Sequence, residues 1–165
     1  MSSGYLVRPV TVTAAKAWVR QVHRHLPEIQ GGLFASSVWN EDGPAAMGIA
    51  INPPRVWLGT GRIVIGRVAA IEGLEPVGDH AAPACTMTYA SLCRAAKALG
   101  WREAWTYTLP GESGASLRAA GFIYMGETRG EEWDRPSRRR KAAVSPAKKG
   151  RWMRVLAPTP RSKAP

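Results

Sequence analysis

A helix between Pro83 and Gly100 is the clearest element of this sequence and constrains its fold most. Pro83 suits a first helical turn, because its missing N–H would find no partner there in any case. Gly100 is a natural left-handed stop, and the helix carries an apolar stripe made by Cys85, Tyr89, Leu92, Ala96 and Leu99. Apolar runs at residues 62–71 and 104–109 predict buried strands on either side. The chain is therefore predicted to be an α/β protein, with helices covering the faces of a mixed sheet.

The other elements are shorter and have weaker patterns. A first helix is predicted from Thr13, with an apolar face made by Ala14, Ala17, Trp18, Val22 and His25. A short helix is predicted between Ser113 and Gly121, with Phe122 folding back on Leu117. Further strands are predicted at residues 33–39, 46–51, 122–127 and 152–156.

Composition places the chain among small globular proteins. It has 165 residues, of which 45% are apolar, enough for a single core. No apolar run reaches membrane-spanning length, and the N-terminus lacks the features of a secretory signal. Two cysteines exclude a disulfide scaffold and a four-cysteine zinc module. We expect a cytoplasmic protein with one domain over residues 1–156, a basic loop at 128–151 and a disordered basic tail at 157–165.

Positive charge is concentrated in the last part of the chain. The net charge is +11, and residues 129–165 carry 12 Lys or Arg against 3 Asp or Glu. Residues 1–128 are nearly neutral, with 11 Lys or Arg against 9 Asp or Glu. Clustered cations attract polyphosphates, so nucleic acid is a predicted partner. A solubilising tail without a specific target is the alternative.

The segment between the central strand and the second helix is a candidate anion site. A helix N-terminus offers backbone N–H groups and the positive end of a dipole. Gly78, Asp79 and His80 precede small residues that permit close backbone approach, namely Ala81, Ala82 and Ala84. The absence of a GxGxxG motif and of a P-loop motif argues against both nucleotide sites. An ordinary strand-to-helix crossover is the alternative.

The stretch SGASLRAAGF, at residues 113–122, resembles the late helix-and-strand motif of the GNAT acyl-CoA N-acyltransferase superfamily. The wider pattern is similar to a phage and prophage branch of it related to Mom, a DNA-modification protein. It is carried, in family order over most of residues 20–155, by VHRH, GRVAAIEG, ACTMTYASLCRAAKALGW, TYTLPGESGASLRAAGF and EEWDRPSRRR. The superfamily's glycine-rich Q/R-x-x-G-x-G/A signature is replaced by VGDHAAPAC.

The resemblance implies a GNAT-like sheet that splays open between the strands at 62–71 and 104–109. Acetyl-CoA or a related acyl-CoA would lie in that opening, with its pyrophosphate at the start of the second helix. The cofactor-binding residues that the resemblance implies are Ala69, Ala70, Ile71, Ala84, Cys85, Thr86 and Ser113.

The Mom-like branch implies an anti-restriction function in a bacterial host cell. The target implied is the exocyclic N6 amine of adenine in double-stranded bacteriophage DNA. That amine is a poor nucleophile inside the base stack, so the enzyme has to flip the base or catch it unpaired. A GNAT N-acetyltransferase for a small amine and an inert DNA-binding module are the alternatives.

Four residues are candidates for the chemistry. His25 would be a base, a substrate contact or a metal ligand, with a buried structural histidine as the alternative. The pair in VHRH offers too few ligands to predict a metal. Tyr107 and Ser116 could protonate a leaving thiolate. Arg67 is expected to have a functional role, because a lone charge buried among Val and Ile is costly. Both cysteines are predicted to be small core residues.

The basic loop combines a tryptophan with arginines. Such a loop can contact phosphates and stack on a displaced base. We expect nucleic-acid contacts from Trp133, Arg135, Arg138, Arg139, Arg140 and Lys141. No membrane partner is expected, and exposed tryptophans such as Trp39 and Trp57 would permit a homodimer.

Overall fold

The computed structural model describes residues 4–22, 29–128 and 148–158, which form a seven-stranded mixed sheet with helices on both faces. The strands are β1 (Leu6–Val10), β2 (Phe34–Asn40), β3 (Gly43–Ile51), β4 (Arg62–Ala70), β5 (Glu103–Thr108), β6 (Ile123–Glu127) and β7 (Gly150–Val155). The helices are α1 (Val12–Val22), α2 (Pro83–Ala98) and α3 (Ala115–Ala119), with one 3₁₀ turn at Arg55–Trp57. The order of strands across the sheet is β1-β2-β3-β4-β5-β7-β6.

The first four strands form an antiparallel half-sheet. A tight turn joins β2 to β3, and in it the Asn40 side chain accepts the Asp42 N–H at 3.0 Å. β1 lies at the edge of the sheet, where Pro9 is tolerated because an edge strand has backbone positions that need not donate. This half-sheet ends at β4, the central strand.

β4 and β5 are parallel and meet only at one end. Their pairs are Arg62 with Glu103, Ile63 with Ala104, and Val64 with Trp105. β7 lies between β5 and β6 and is antiparallel to both. The sheet therefore consists of two halves, β1–β4 and β5-β7-β6, which are joined over three residue pairs and part beyond them.

A compact cluster holds the joined end together. The Arg62 guanidinium forms an ion pair with Glu103 at 3.0 Å and lies over the rings of Trp57 and Trp105, at 5.1 and 5.6 Å from their centroids. The Trp105 indole N–H donates to the same Glu103 carboxylate at 2.9 Å. Glu103 thus fixes β4 and β5 where they pair and leaves the other end free to diverge.

The helices cover opposite faces of the sheet. α2 and α3 pack on one face, where the core contains Ile63, Ile65, Leu92, Cys93, Ala96, Ala104, Leu117 and Phe122. α1 packs on the other face, where Ala15 and Val19 meet Met47, Ile49 and Ala69. Within the described residues, no helix is both long and apolar enough to cross a membrane.

The α/β prediction is confirmed. α2 begins at Pro83 as predicted, and Gly100 has a φ of 93° just beyond its end. The Phe122 N–H donates to the Leu117 carbonyl at 3.0 Å, as expected for the chain folding back at Gly121. Each predicted strand is present with shifts of a few residues. The basic segment 129–147 lies outside the described residues.

Two local predictions are wrong, and one strand was not predicted. On α1, Ala14 and Ala17 are exposed, and the buried residues are Ala15 and Val19. Leu99 is 66% exposed, because it lies past the last turn of α2 that contacts the sheet. The β1 strand was not predicted, since four of its five side chains are exposed and give no alternating pattern.

Candidate active site

A cleft opens where β4 and β5 part. At the point where the two strands separate, the Thr106 hydroxyl donates to the Ile65 carbonyl at 2.9 Å. This side-chain hydrogen bond takes the place of a backbone bond between the strands. Beyond it, the cleft between β4 and β5 has a volume of about 1130 Å³ and is lined by both strands, α3 and the loop before α2. This cavity is larger than the roughly 300–1,000 Å³ of typical small-molecule pockets.

One wall of the cleft offers backbone polar groups. The Ile71 N–H donates to the Ala45 carbonyl of β3 at 3.0 Å, so the Ile71 backbone points away from the cleft. Because backbone groups alternate in direction along a strand, those of Val68 and Ala70 point toward the cleft, where β4 has lost its pairing with β5. Ala69 and Ala70 line the cleft as predicted for a cofactor wall, whereas Ile71 does not line it.

The loop before α2 is held by two serines of the SGAS stretch. The Ser116 hydroxyl, 3% exposed, accepts the Ala82 N–H at 2.9 Å. The Ser113 hydroxyl donates to the Gly78 carbonyl at 2.6 Å and accepts the Ala115 N–H at 3.2 Å. Both serines line the cleft. A hydroxyl can accept and donate at once, so the bond from Ala82 leaves Ser116 able to donate its own proton.

Tyr107 and Arg67 lie on the face of the sheet that α1 covers. Arg67 pairs in register with Ile49, whose side chain packs against α1, and partners directly opposite share a face. Tyr107 alternates with Ala104 and Thr106, which face α2, and therefore points the other way. Burial raises the pKa of the Tyr107 phenol, and the charge of Arg151 acts in the opposite direction. Burial lowers the pKa of Arg67.

Cys85 and Tyr89 line the α2 side of the cleft. Burial, and secondarily the charge of Glu75, raises the pKa of the Cys85 thiol from 9.0 to about 11. Burial also raises the pKa of Tyr89, whose hydroxyl hydrogen-bonds to Thr106. Both groups stay protonated at neutral pH, so Cys85 presents a neutral thiol to the cleft.

The cleft brings together seven of the ten predicted site residues that the structure describes. Those that line it are Arg67, Ala69, Ala70, Cys85, Tyr107, Ser113 and Ser116. Ile71, Ala84 and Thr86 do not line it, and Ala84 is fully buried in the core. The predicted residues that lie outside the described part of the chain are His25, Trp133, Arg135, Arg138, Arg139, Arg140 and Lys141.

Among the cleft residues that sequence reasoning missed are Val68, Thr106 and Lys149. Nothing in the sequence distinguishes Thr106 from an ordinary strand threonine, because its role depends on where β5 leaves β4. For Val68 the signal was available, since it precedes Ala69 on the same strand.

Comparison with known structures identifies the class of fold. The ribosomal-protein-S18-alanine N-acetyltransferase of Escherichia coli superposes with a TM-score of 0.65 at 10% identity, covering 98% of this chain and 99% of that one. A GNAT-superfamily phosphinothricin acetyltransferase of Sinorhizobium meliloti gives 0.64 at 14%, covering 98% and 93%. Arabidopsis thaliana NAA60 gives 0.63 at 9%, covering 92% and 98%. No protein-family model matches the sequence, and no curated protein matches it.

The chain therefore has the fold of the GNAT acetyltransferases. The parting of β4 and β5, expected from the resemblance of the sequence, is a feature of the structure itself.

Proposed function

We propose that this protein is an acyl-CoA-dependent N-acyltransferase that holds its cofactor in the cleft. The observation that carries this proposal is the loss of pairing past Val64, which turns the backbone of Val68 and Ala70 toward an open cavity. Amides of a pantetheine chain can hydrogen-bond to such an edge. The S. meliloti and A. thaliana proteins were solved in complex with acetyl-CoA, which supports the choice of cofactor.

The residues around the cleft fit a long, thin ligand with an anionic end. Its walls include small residues, namely Gly66, Ala69, Ala70, Gly78, Gly114 and Ala115. α2 starts beside it, and the Ala84 and Cys85 N–H groups in its first turn have no intrahelical partner. Residues 71–85 contain no Lys or Arg. A pyrophosphate there would depend on backbone N–H groups and the helix dipole, and would have to lie clear of Glu75, which also lines the cleft and whose charge acts on Cys85.

The side chains of the cleft supply proton donors. Bound acyl-CoA would provide an activated acyl group on a sulfur that departs as a thiolate, while the acceptor amine gives up a proton. Tyr107 carries its proton at neutral pH, as a phenol ordinarily does, and burial raises its pKa further, so it can donate a hydrogen bond to the sulfur or to the carbonyl oxygen. Ser116 is a second donor, oriented by the Ala82 N–H. We propose His25 as the base.

For the acceptor, we propose a DNA base, with the N6 amine of adenine as the target of a Mom-like modification. The charge distribution supports this choice, because residues 129–165 carry a balance of +9 in a chain with a net charge of +11. The S. meliloti neighbour is a phosphinothricin acetyltransferase, which supports a small amine as the second candidate.

Nucleoside mass spectrometry of DNA from cells that express the protein tests both candidates. DNA modification predicts a new adenine-derived nucleoside, reduced at least tenfold by Tyr107→Phe. Tyr124→Phe is the matched control, since Tyr124 is exposed on β6 and packs against Trp152 away from the cleft. If the DNA is unmodified and the protein releases free thiol when it is incubated with acetyl-CoA and small amines, the second candidate is favoured. No acetyl-CoA binding by folded protein would reject both.

A further inference from the structure

Acidic and basic side chains line the cleft on opposite faces of the sheet. Glu75 and Glu112 line the cleft on the α2 side, where their charges act on Cys85 and Tyr89. On the α1 side, the charged group that lines the cleft on β4 is Arg67. The two walls of one cavity thus present opposite charges to whatever enters from each face.

Arg151 lies on the other half-sheet, outside the lining of the cleft but on the same face as Tyr107. It is the register partner of Tyr107, so the two side chains share the α1 face, and its charge acts on the pKa of Tyr107. Its Nη2 donates to the Met125 carbonyl at 3.1 Å. Within the described part of the chain, its Nε is buried without an acceptor and it has no carboxylate partner.

Such an arginine is costly unless an anion comes close to it. A partly desolvated guanidinium with an unsatisfied N–H loses hydration that a neutral carbonyl only partly replaces. A phosphate oxygen beside the same guanidinium restores a charge-assisted interaction, and arginine has the geometry that phosphate favours. Tyr107, which lies next to Arg151, is the proposed proton donor, so an anion held there belongs to the reacting substrate.

We propose that the acceptor carries a phosphate group and that two arginines hold it on the α1 face of the sheet: Arg67, which lines the cleft, and Arg151, which lies beside Tyr107. This assignment rests on the proposed acyltransfer and specifies its substrate. The phosphate comes either from a DNA backbone or from a free nucleotide. The charge of the sequence favours the backbone, because residues 129–165 carry 12 Lys or Arg against 3 Asp or Glu.

Equilibrium binding of a fluorescein-labelled 20-base-pair DNA duplex tests the assignment without turnover. At 100 mM NaCl, Arg151→Gln is expected to weaken binding about tenfold and to lower the slope of log K against log salt by about 1. Arg154→Gln is the matched control. It removes the same charge from the same strand, but Arg154 points to the opposite face, where it donates to the Ala120 carbonyl. Its effect should stay below about threefold.

Two further arms identify the source of the phosphate. In the first, adenosine 5′-monophosphate and adenosine compete with the duplex for the wild-type protein. If the monophosphate displaces the duplex and adenosine does not, the phosphate is that of a nucleotide. If neither compound displaces the duplex, the phosphate belongs to the DNA backbone. Arg151→Lys keeps the charge and should recover part of the affinity, which also covers the case in which Arg151→Gln fails to fold.

Equal weakening by Arg151→Gln and Arg154→Gln, or no weakening by either, overturns the assignment. Acetyl-CoA affinity, measured on each variant, is expected to be unchanged. Failure of the proposed acyltransfer has a different signature, because then acetyl-CoA does not bind to the wild-type protein at all.

Discussion

Replacing Thr106 with valine tests what fixes the branching point of the sheet. Thr106 is 3% exposed, and its hydroxyl donates to the Ile65 carbonyl at 2.9 Å. The Tyr89 hydroxyl also hydrogen-bonds to Thr106. Valine has almost the same shape as threonine but can neither donate nor accept. The Thr106→Val variant therefore leaves the Ile65 carbonyl without its partner where β4 and β5 separate.

The size of the effect follows from burial. An unsatisfied buried carbonyl costs about 1–3 kcal/mol. The methyl group that replaces the hydroxyl returns at most about 0.8 kcal/mol of hydrophobic stabilisation. We expect the free energy of unfolding to fall by about 2 kcal/mol, since the Tyr89 hydroxyl also loses a partner. For a chain of this length, that corresponds to a decrease in Tm of about 4–8 °C.

Urea unfolding followed by tryptophan fluorescence measures this change, and Thr60→Val is its matched control. The Thr60 hydroxyl donates to the Trp57 carbonyl at 2.6 Å, but that bond is exposed, so water can replace it. Its loss should cost less than about 0.5 kcal/mol. Acetyl-CoA affinity should fall in Thr106→Val and not in Thr60→Val. Equal destabilisation by the two variants would refute the reasoning, because burial would then not set the cost.

Two further predictions concern the core. Gly48→Ala would place a Cβ 2.7 Å from Leu92 and 2.8 Å from Thr88. This overpacking should lower the free energy of unfolding, measured with urea, by about 1–3 kcal/mol. A Gly48→Ala variant as stable as the wild-type protein would contradict the prediction. The pKa values of Cys85 and Cys93 are raised by burial from 9.0 to about 11. Between pH 9 and 11 the thiols ionise in the unfolded chain first, so the free energy of unfolding should fall by about 1.4 kcal/mol per pH unit per thiol. The Cys85→Ala/Cys93→Ala double variant should lose less stability than the wild-type protein between pH 9 and 11. An equal loss in both proteins would show that other groups cause it.

The sequence predicted the elements whose apolar pattern is strong and local. Pro83 and Gly100 marked the two ends of α2, and the apolar run at residues 62–71 marked β4, because propensity and burial agree there. β1 was missed for the opposite reason, since an edge strand with exposed side chains forms only because β2 offers it a partner. The face of α1 was misassigned because alanines on either side of the helix fit the same pattern equally well.

The candidate site was predicted less completely than the fold. Tyr107, Ser116 and Arg67 were named from the sequence, and all three line the cleft. Arg151 was not named, because a strand arginine gives no sign of its neighbours until β7 is paired with β5. Pairing of residues 44 positions apart is a property of topology, which local sequence patterns do not encode.

The position of β7 has a consequence for synthesis of the chain. β7 follows β6 in the sequence, yet it lies between β5 and β6 in the sheet. Until residues 150–155 emerge, β5 has an open edge and β6 has no neighbour, while Ile123 on β6 is 61% exposed even in the finished fold. Unpaired edges with apolar side chains invite association with other chains. A nascent chain stalled before Gly150 should therefore depend on chaperones until residues 150–155 can pair with β5 and β6.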